Sequence, residues 1–128
     1  TVDLIAADLG ETKVRPGETL PLALYWRAIA PMDRSYTVFV QAVDDEGTKV
    51  GQVDRLPCNG DCPTATWRPG DLVGERYDLA VRGDALPGQY RLIVGMYDLE
   101  TGENLTAYDS QGNAAGTYLE LGAIQVSP

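Results

Sequence analysis

Leu20, Leu22, Leu24 and Trp26 recur at every second position of one run, and that spacing constrains the fold more than any other feature of the chain. A period of two places all four side chains on one face of an extended strand; on a helix they would scatter around the axis. The same period returns further along. Tyr36, Val38, Val40 and Ala42 alternate with Thr37, Phe39, Gln41 and Val43, and Tyr90, Leu92, Val94 and Met96 alternate with Arg91, Ile93, Gly95 and Tyr97. Both faces of these two runs are largely apolar, so they are expected to be central strands covered on both sides or packed beneath a loop. Tyr77, Leu79 and Val81 mark a further strand. Strand-like runs also occupy Val2 to Leu9 and Tyr118 to Val126, the latter with a bulge expected at Gly122. The three- and four-residue spacings of a helix are nearly absent.

Turn chemistry separates these runs. Asp44-Asp45-Glu46-Gly47 and Glu100-Thr101-Gly102-Glu103 have the length and composition of short hairpin loops. Pro-Gly pairs at 16–17, 69–70 and 87–88 combine a preset φ with a residue that accepts a left-handed one, which favours a tight turn before the next strand. The runs recur at intervals of roughly 8–15 residues, the rhythm of an antiparallel sandwich. The prediction is an all-β, immunoglobulin-like Greek-key β-sandwich of about 8–9 strands, a strand or two larger than a minimal ~100-residue domain of that type. Residues 1–128 are expected to form a single β-sandwich domain. Because the chain opens without Met on a strand-like run, the expectation is a domain excised from a longer protein, with a processed mature chain as the alternative. Leu56 to Gly74 breaks the rhythm with three prolines, three glycines, both cysteines and Trp67. This stretch is expected to be a long ordered connection, crossing between sheets or capping one end, with Trp67 pinning it to the core.

Composition narrows the function. Ten Lys+Arg against nineteen Asp+Glu give a net charge of -9, which argues against nucleic acid and anionic membrane surfaces. The absence of histidine excludes Ser-His-Asp and Cys-His catalysis and zinc sites that need imidazole. No apolar run approaches ~18 residues, so direct membrane insertion is not expected. No set of Asp, Glu, Lys, Tyr or Cys stands at a spacing that singles out acid–base chemistry. No catalytic residue, metal or cofactor is therefore assigned, and an enzyme is not expected. A hydrolase using paired carboxylates is the least favoured reading, because among so many acidic residues some pair will stand ~5–9.5 Å apart by chance.

Cys58 and Cys62 enclose Asn59-Gly60-Asp61. Two cysteines without histidine fall short of a four-ligand zinc site, and the spacing is not that of a Cys-x-x-Cys redox pair. A local disulfide is favoured over free thiols, worth about 2 kcal/mol in the chain-entropy model. Asp98 and Asp109 flank the turn at 100–103 and are candidate ligand-binding residues through their oxygens, calcium included; Asp44, Asp45 and Glu46 form a second acidic cluster. Neither matches an EF-hand loop, and solvated acidic turns are the simpler reading. Tyr25, Trp26, Tyr36, Phe39, Tyr77 and Tyr90 lie in or beside strand runs and are expected in the core. Tyr108 and Tyr118 flank the small-residue loop from Ser110 to Gly116 and are the pair expected to be exposed to a ligand.

Four segments carry a resemblance: Val14 to Ala28, with Arg-Pro-Gly-Glu and Leu-Tyr-Trp; Asp33 to Val40; Trp67-Arg-Pro-Gly-Asp71; and Leu86 to Asp98, beginning Leu-Pro-Gly-Gln-Tyr. In this order they resemble a β-sandwich domain found near the C-terminus of multi-pass membrane glycosyltransferase-like proteins of Chloroflexi-type bacteria. The resemblance implies an extracytoplasmic accessory domain, at the cell surface or in a periplasm-like space, beside a membrane-embedded catalytic portion. The cysteine pair departs from that pattern. The expected function is a non-catalytic accessory or interaction domain whose partner is the rest of a membrane-anchored parent, or a cell-surface protein or glycan. The alternative is a carbohydrate-binding module stabilised by calcium.

Overall fold

The computed structural model describes residues 2–9, 12–32, 34–98, 100–105, 107–108, 114–116 and 118–127. The alternating runs become strands: β1 (Val2–Leu9), β2 (Lys13–Val14), β3 (Thr19–Ala28), β4 (Thr37–Val43), β5 (Lys49–Arg55), β6 (Leu72–Ala80), β7 (Gly88–Tyr97), β8 (Ala107–Tyr108), β9 (Ala114–Gly116) and β10 (Leu119–Val126). They build two five-stranded sheets, one in the order β6-β3-β1-β8-β9 and the other β2-β10-β7-β4-β5. The chain is an all-β sandwich. Its strands outnumber the expected eight or nine because β2, β8 and β9, of two or three residues each, line the margins. Pairing is antiparallel apart from β1 with β8 and β2 with β10, which are parallel. Among the described residues, no helix is long and apolar enough to cross a membrane.

Leu20, Leu22, Leu24 and Trp26 of β3 point between the sheets and meet Val38 and Val40 of β4, Leu92 and Val94 of β7, and Ile124 and Val126 of β10, all buried in one cluster. Removing each such side chain from water contributes about 1.5–3 kcal/mol. The register of β10 against β7 slips between Glu120 and Gly122, the bulge expected from the sequence, with Gly122 at φ +140°. At the entry to β7 the Tyr90 hydroxyl donates to the Leu86 carbonyl at 2.6 Å, a tyrosine corner that fixes the crossing from one sheet to the other.

The connection between β5 and β6 crosses from one sheet to the other, and β6 begins at Leu72, two residues before the expected end of the connection. Two short 3-10 turns, Pro57–Gly60 and Thr64–Thr66, give it shape. Cys58 and Cys62 are joined by a disulfide. Trp67 is buried, and its indole N–H donates to the Cys62 carbonyl at 2.9 Å. The buried Thr64 hydroxyl accepts the Tyr36 N–H at 2.9 Å and donates to the Arg34 carbonyl at 2.7 Å, tying the connection to the start of β4.

Glu75 of β6 holds the connection from below. Its carboxylate is 11% exposed and accepts the Arg55 guanidinium at 2.9 Å, the Cys58 N–H at 2.9 Å and the Tyr77 hydroxyl at 3.1 Å. Arg55 also lies over the Tyr77 ring, 4.7 Å from its centroid. Burial first, and then the adjacent negative charge of Glu75, push the Tyr77 phenol far above its ordinary range.

The two sheets also touch along one flank. Gly51 of β5 bridges Val81, just past β6, and the Arg82 N–H donates to the Val50 carbonyl at 2.7 Å. A Cβ at position 51 would stand 2.9 Å from the Ala80 carbonyl oxygen, so this approach of two backbones requires glycine.

Candidate functional site

The outer face of a sandwich sheet is ordinarily polar, because alternation sends every other residue to solvent. β4 and β7 depart from this. Phe39, only 6% exposed, and Ile93 occupy the outward positions between Val38 and Val40 and between Leu92 and Val94, yet both are buried. Across the sheet, Phe39 stands opposite Gly95 on one side and Asp54 on the other, and Gln41 stands opposite Ile93 and Gln52. These rows floor an open groove of about 530 Å3 that is also lined by Tyr97, Gly102, Asn104 and Tyr118. That volume falls in the range of ~300–1,000 Å3 typical of small-molecule sites.

One wall is a hydrogen-bonded chain. Lys49 donates to the Gln52 side-chain oxygen at 3.1 Å, Gln52 donates to Asp54 Oδ1 at 2.9 Å, and the Tyr97 hydroxyl donates to Asp54 Oδ2 at 2.9 Å. Burial, and then the bond to Asp54, raise the Tyr97 phenol above its ordinary value, so it stays a neutral donor at neutral pH. The Phe39 and Tyr97 rings lie 6.2 Å apart with their planes tilted by 46°. This gives an angled corner instead of a row of coplanar rings. Among the described residues the side-chain amides of Gln41 and Asn104 make no hydrogen bond, which leaves them available to a ligand.

The other wall is the turn that follows β7. Asp98 is buried and serves as its anchor: the carboxylate accepts the Arg34 guanidinium, the Glu100 N–H at 3.1 Å and the Thr101 hydroxyl at 3.3 Å, while the Asp98 N–H donates to the Glu103 carbonyl. The Arg34 hydrogen bond holds the Asp98 carboxyl below the usual carboxylate range. Tyr97 bridges Asn104 across this turn, which brings the amide to the groove.

Of the predicted site residues, Tyr118 is 44% exposed and lines the groove. Asp98 supports the turn beside it. Tyr108 is described through its backbone alone, in β8 of the opposite sheet opposite Asp3, and Asp109 lies outside the described residues. In the acidic hairpin, Asp44 Oδ1 accepts the N–H groups of Glu46 and Thr48 at 2.9 and 2.8 Å. Among the described residues no cluster of three or more acidic or cysteine side chains is arranged to hold a metal.

One aromatic expectation is corrected. Tyr25 is not in the core; it is 42% exposed on the outer face of the opposite sheet, because its neighbours Leu24 and Trp26 take the inward positions and alternation turns it outward. The groove residues Phe39, Gln41, Gln52, Asp54 and Tyr97 were not singled out by sequence motifs. Their only signal was the two-sided apolar pattern of β4 and β7.

No protein-family model matches the sequence, and no curated protein matches it. The resemblance to glycosyltransferase-associated domains therefore rests on its motifs alone. Solved structures do match in fold. The C-terminal domain of wzt aligns with a TM-score of 0.60 at 11% identity, covering 98% of this chain and 72% of that one. A Niemann-Pick type C2 protein from Japanese carpenter ant aligns with a TM-score of 0.60 at 5% identity, covering 98% and 92%. The Pseudomonas fluorescens alkylpurine DNA glycosylase AlkC, bound to DNA containing an abasic site analog, aligns with a TM-score of 0.51 at 13% identity over 99% of this chain but 30% of its own. At these identities the likeness is one of fold.

Proposed function

We propose that this immunoglobulin-like sandwich is a non-catalytic accessory domain that binds a neutral saccharide chain along the groove over β4, β5 and β7. It would act outside the cytoplasm as part of a larger, membrane-anchored, glycosyltransferase-like protein. The observation that carries this reading is the lining of the groove. Apolar Phe39 and Ile93 and the half-open rings of Tyr97 and Tyr118 suit the C–H faces of sugar rings, while Gln41, Gln52, Asn104 and Asp54 offer donors and acceptors to hydroxyl groups. A net charge of -9 disfavours an anionic polymer. Among the described residues Asp54 is the one carboxylate that lines the groove, where glycoside hydrolysis ordinarily uses two. The disulfide fits an oxidising compartment.

The test is calorimetric titration of the protein with neutral oligosaccharides, with calcium and with chelator. Saturable binding is expected, unchanged by chelator and weakened at least ~5-fold, or ~1 kcal/mol, by Tyr97→Ala and by Tyr118→Ala. Binding that survives both substitutions, or turnover of a glycoside that disappears on substituting Asp54, would overturn the reading.

A further inference from the structure

The opposite sheet carries a second arrangement of the same chemical kind, built from different residues. Directly opposed residues of antiparallel strands share a face. Asp8 of β1, Ala23 of β3 and Arg76 of β6 therefore form one outward row, and Tyr25 and Gly74 form the adjacent one. Ala23 is the short centre of its row, with a longer charged side chain on either side, so the row is a slot. The slot encloses about 210 Å3 and is bounded by Asp8, Pro21, Ala23, Tyr25 and Arg76. Two strand spacings set Asp8 and Arg76 ~10 Å apart at the backbone.

Tyr25 completes the slot. A Cβ at position 74 would come within 2.7 and 2.8 Å of two Tyr25 ring carbons, so the ring lies down over Gly74 with its other face toward solvent. An aromatic ring laid across a cross-strand glycine covers a gap in the sheet. It also offers a flat apolar platform at the slot's edge. Neither Asp8 nor the Arg76 guanidinium has a hydrogen-bond or ion-pair partner among the described residues, although they have opposite charge and line one depression. A carboxylate on one wall that accepts from hydroxyl groups, a guanidinium on the other that donates to hydroxyl oxygens and an exposed ring beside them match a polyhydroxylated ring with one apolar face.

We propose that this slot is a second binding site, separate from the groove, that takes one neutral pyranose ring between Asp8 and Arg76 with Tyr25 stacked against its C–H face. The two sites lie on opposite outer faces, so the domain would hold two saccharide segments at once. This inference does not depend on the groove, and the two are tested by different variants.

The experiment is an amide NMR titration of the protein with the methyl glycosides of glucose, galactose, mannose and N-acetylglucosamine, with glycine betaine as the zwitterionic control. At least one glycoside should saturably shift the amides of residues 8, 23, 25, 74 and 76 with a Kd of about 10 mM or tighter. Asp8→Asn and Arg76→Gln should each weaken that binding about 10-fold while leaving the melting temperature unchanged, since both side chains are exposed. Tyr25→Phe should retain it, and Tyr97→Ala should not affect it. The proposal is overturned if no glycoside shifts these amides, if only the betaine does, or if Asp8→Asn and Arg76→Gln bind as the parent does. Loss of groove binding in Tyr97→Ala with the slot intact would separate the two sites.

Discussion

Replacing Glu75 by alanine tests whether the β5–β6 connection is held by one buried carboxylate. The substitution removes three hydrogen bonds together, to the Arg55 guanidinium, the Cys58 N–H and the Tyr77 hydroxyl. Bonds to a charged acceptor contribute about 1.5–3 kcal/mol each. The Arg55 side chain is 30% exposed and can turn to water, so its share is discounted; the other two donors are left without a partner. The expected loss is about 4 kcal/mol, within the ~3–5 kcal/mol measured when one member of a buried pair is removed. With an unfolding entropy of ~2.1 cal/mol/K per residue, a chain of 128 residues carries about 0.27 kcal/mol/K, so the melting temperature should fall by ~15 °C. Calorimetric melts at neutral pH measure this. Tyr77→Phe, which removes one of the three bonds, should cost about 1.5 kcal/mol, or ~5 °C. A fall below ~4 °C for Glu75→Ala would refute the view that this carboxylate holds the connection, since that is the scale of an ordinary exposed ion pair.

Three further outcomes follow from the same structure. Leu24→Ala should lose about 2–5 kcal/mol, and Leu24→Asp should leave no cooperative melt, because a charge would stand between the sheets. Reducing the Cys58–Cys62 disulfide should cost about 2 kcal/mol or less without abolishing the fold, as read from denaturation with and without reductant; thiol titration of the unreduced, denatured protein should find no free equivalents. Asp98 has its carboxyl pKa depressed in the folded state by Arg34, so its contribution is complete above the unfolded value near 3.9 and is lost as pH falls through the folded value. Denaturation midpoints measured from pH 6 down to about pH 2 should therefore fall less steeply for Asp98→Asn than for the parent.

β3, β4 and β7 were the most legible because each repeats its alternation over seven residues or more, long enough for period two to stand apart from chance. β2, β8 and β9 were not legible, since two or three residues carry no period, and their places at the sheet margins come from tertiary pairing. Leu72 begins β6 within a stretch whose prolines and glycines read as connection; its partner is Arg27 on β3, a pairing no local pattern records. The groove was half visible. Phe39 and Ile93 showed as apolar residues on the wrong face of their strands, and Tyr118 as an aromatic beside a small-residue loop. Gln41, Gln52 and Asp54 were invisible, because polar residues on an outward face are what any strand shows. Tyr25 was misplaced by treating aromatics as core residues by type, when the parity of its position between Leu24 and Trp26 already assigned it to the surface.

The contact between Gly51 and Val81 has a consequence for how the domain behaves in company. A sandwich normally presents two open edges on each flank, rows of unpaired N–H and C=O groups on which a stray strand can be templated. Along this flank the edges of β5 and β6 are drawn against each other, and the molecule is locally closer to a barrel than to a pair of sheets. Among the described residues, the flank bearing β2 and β9 is then where strand addition from another chain would begin. A side chain at position 51 would force the two backbones apart at that bridge and expose both edges there.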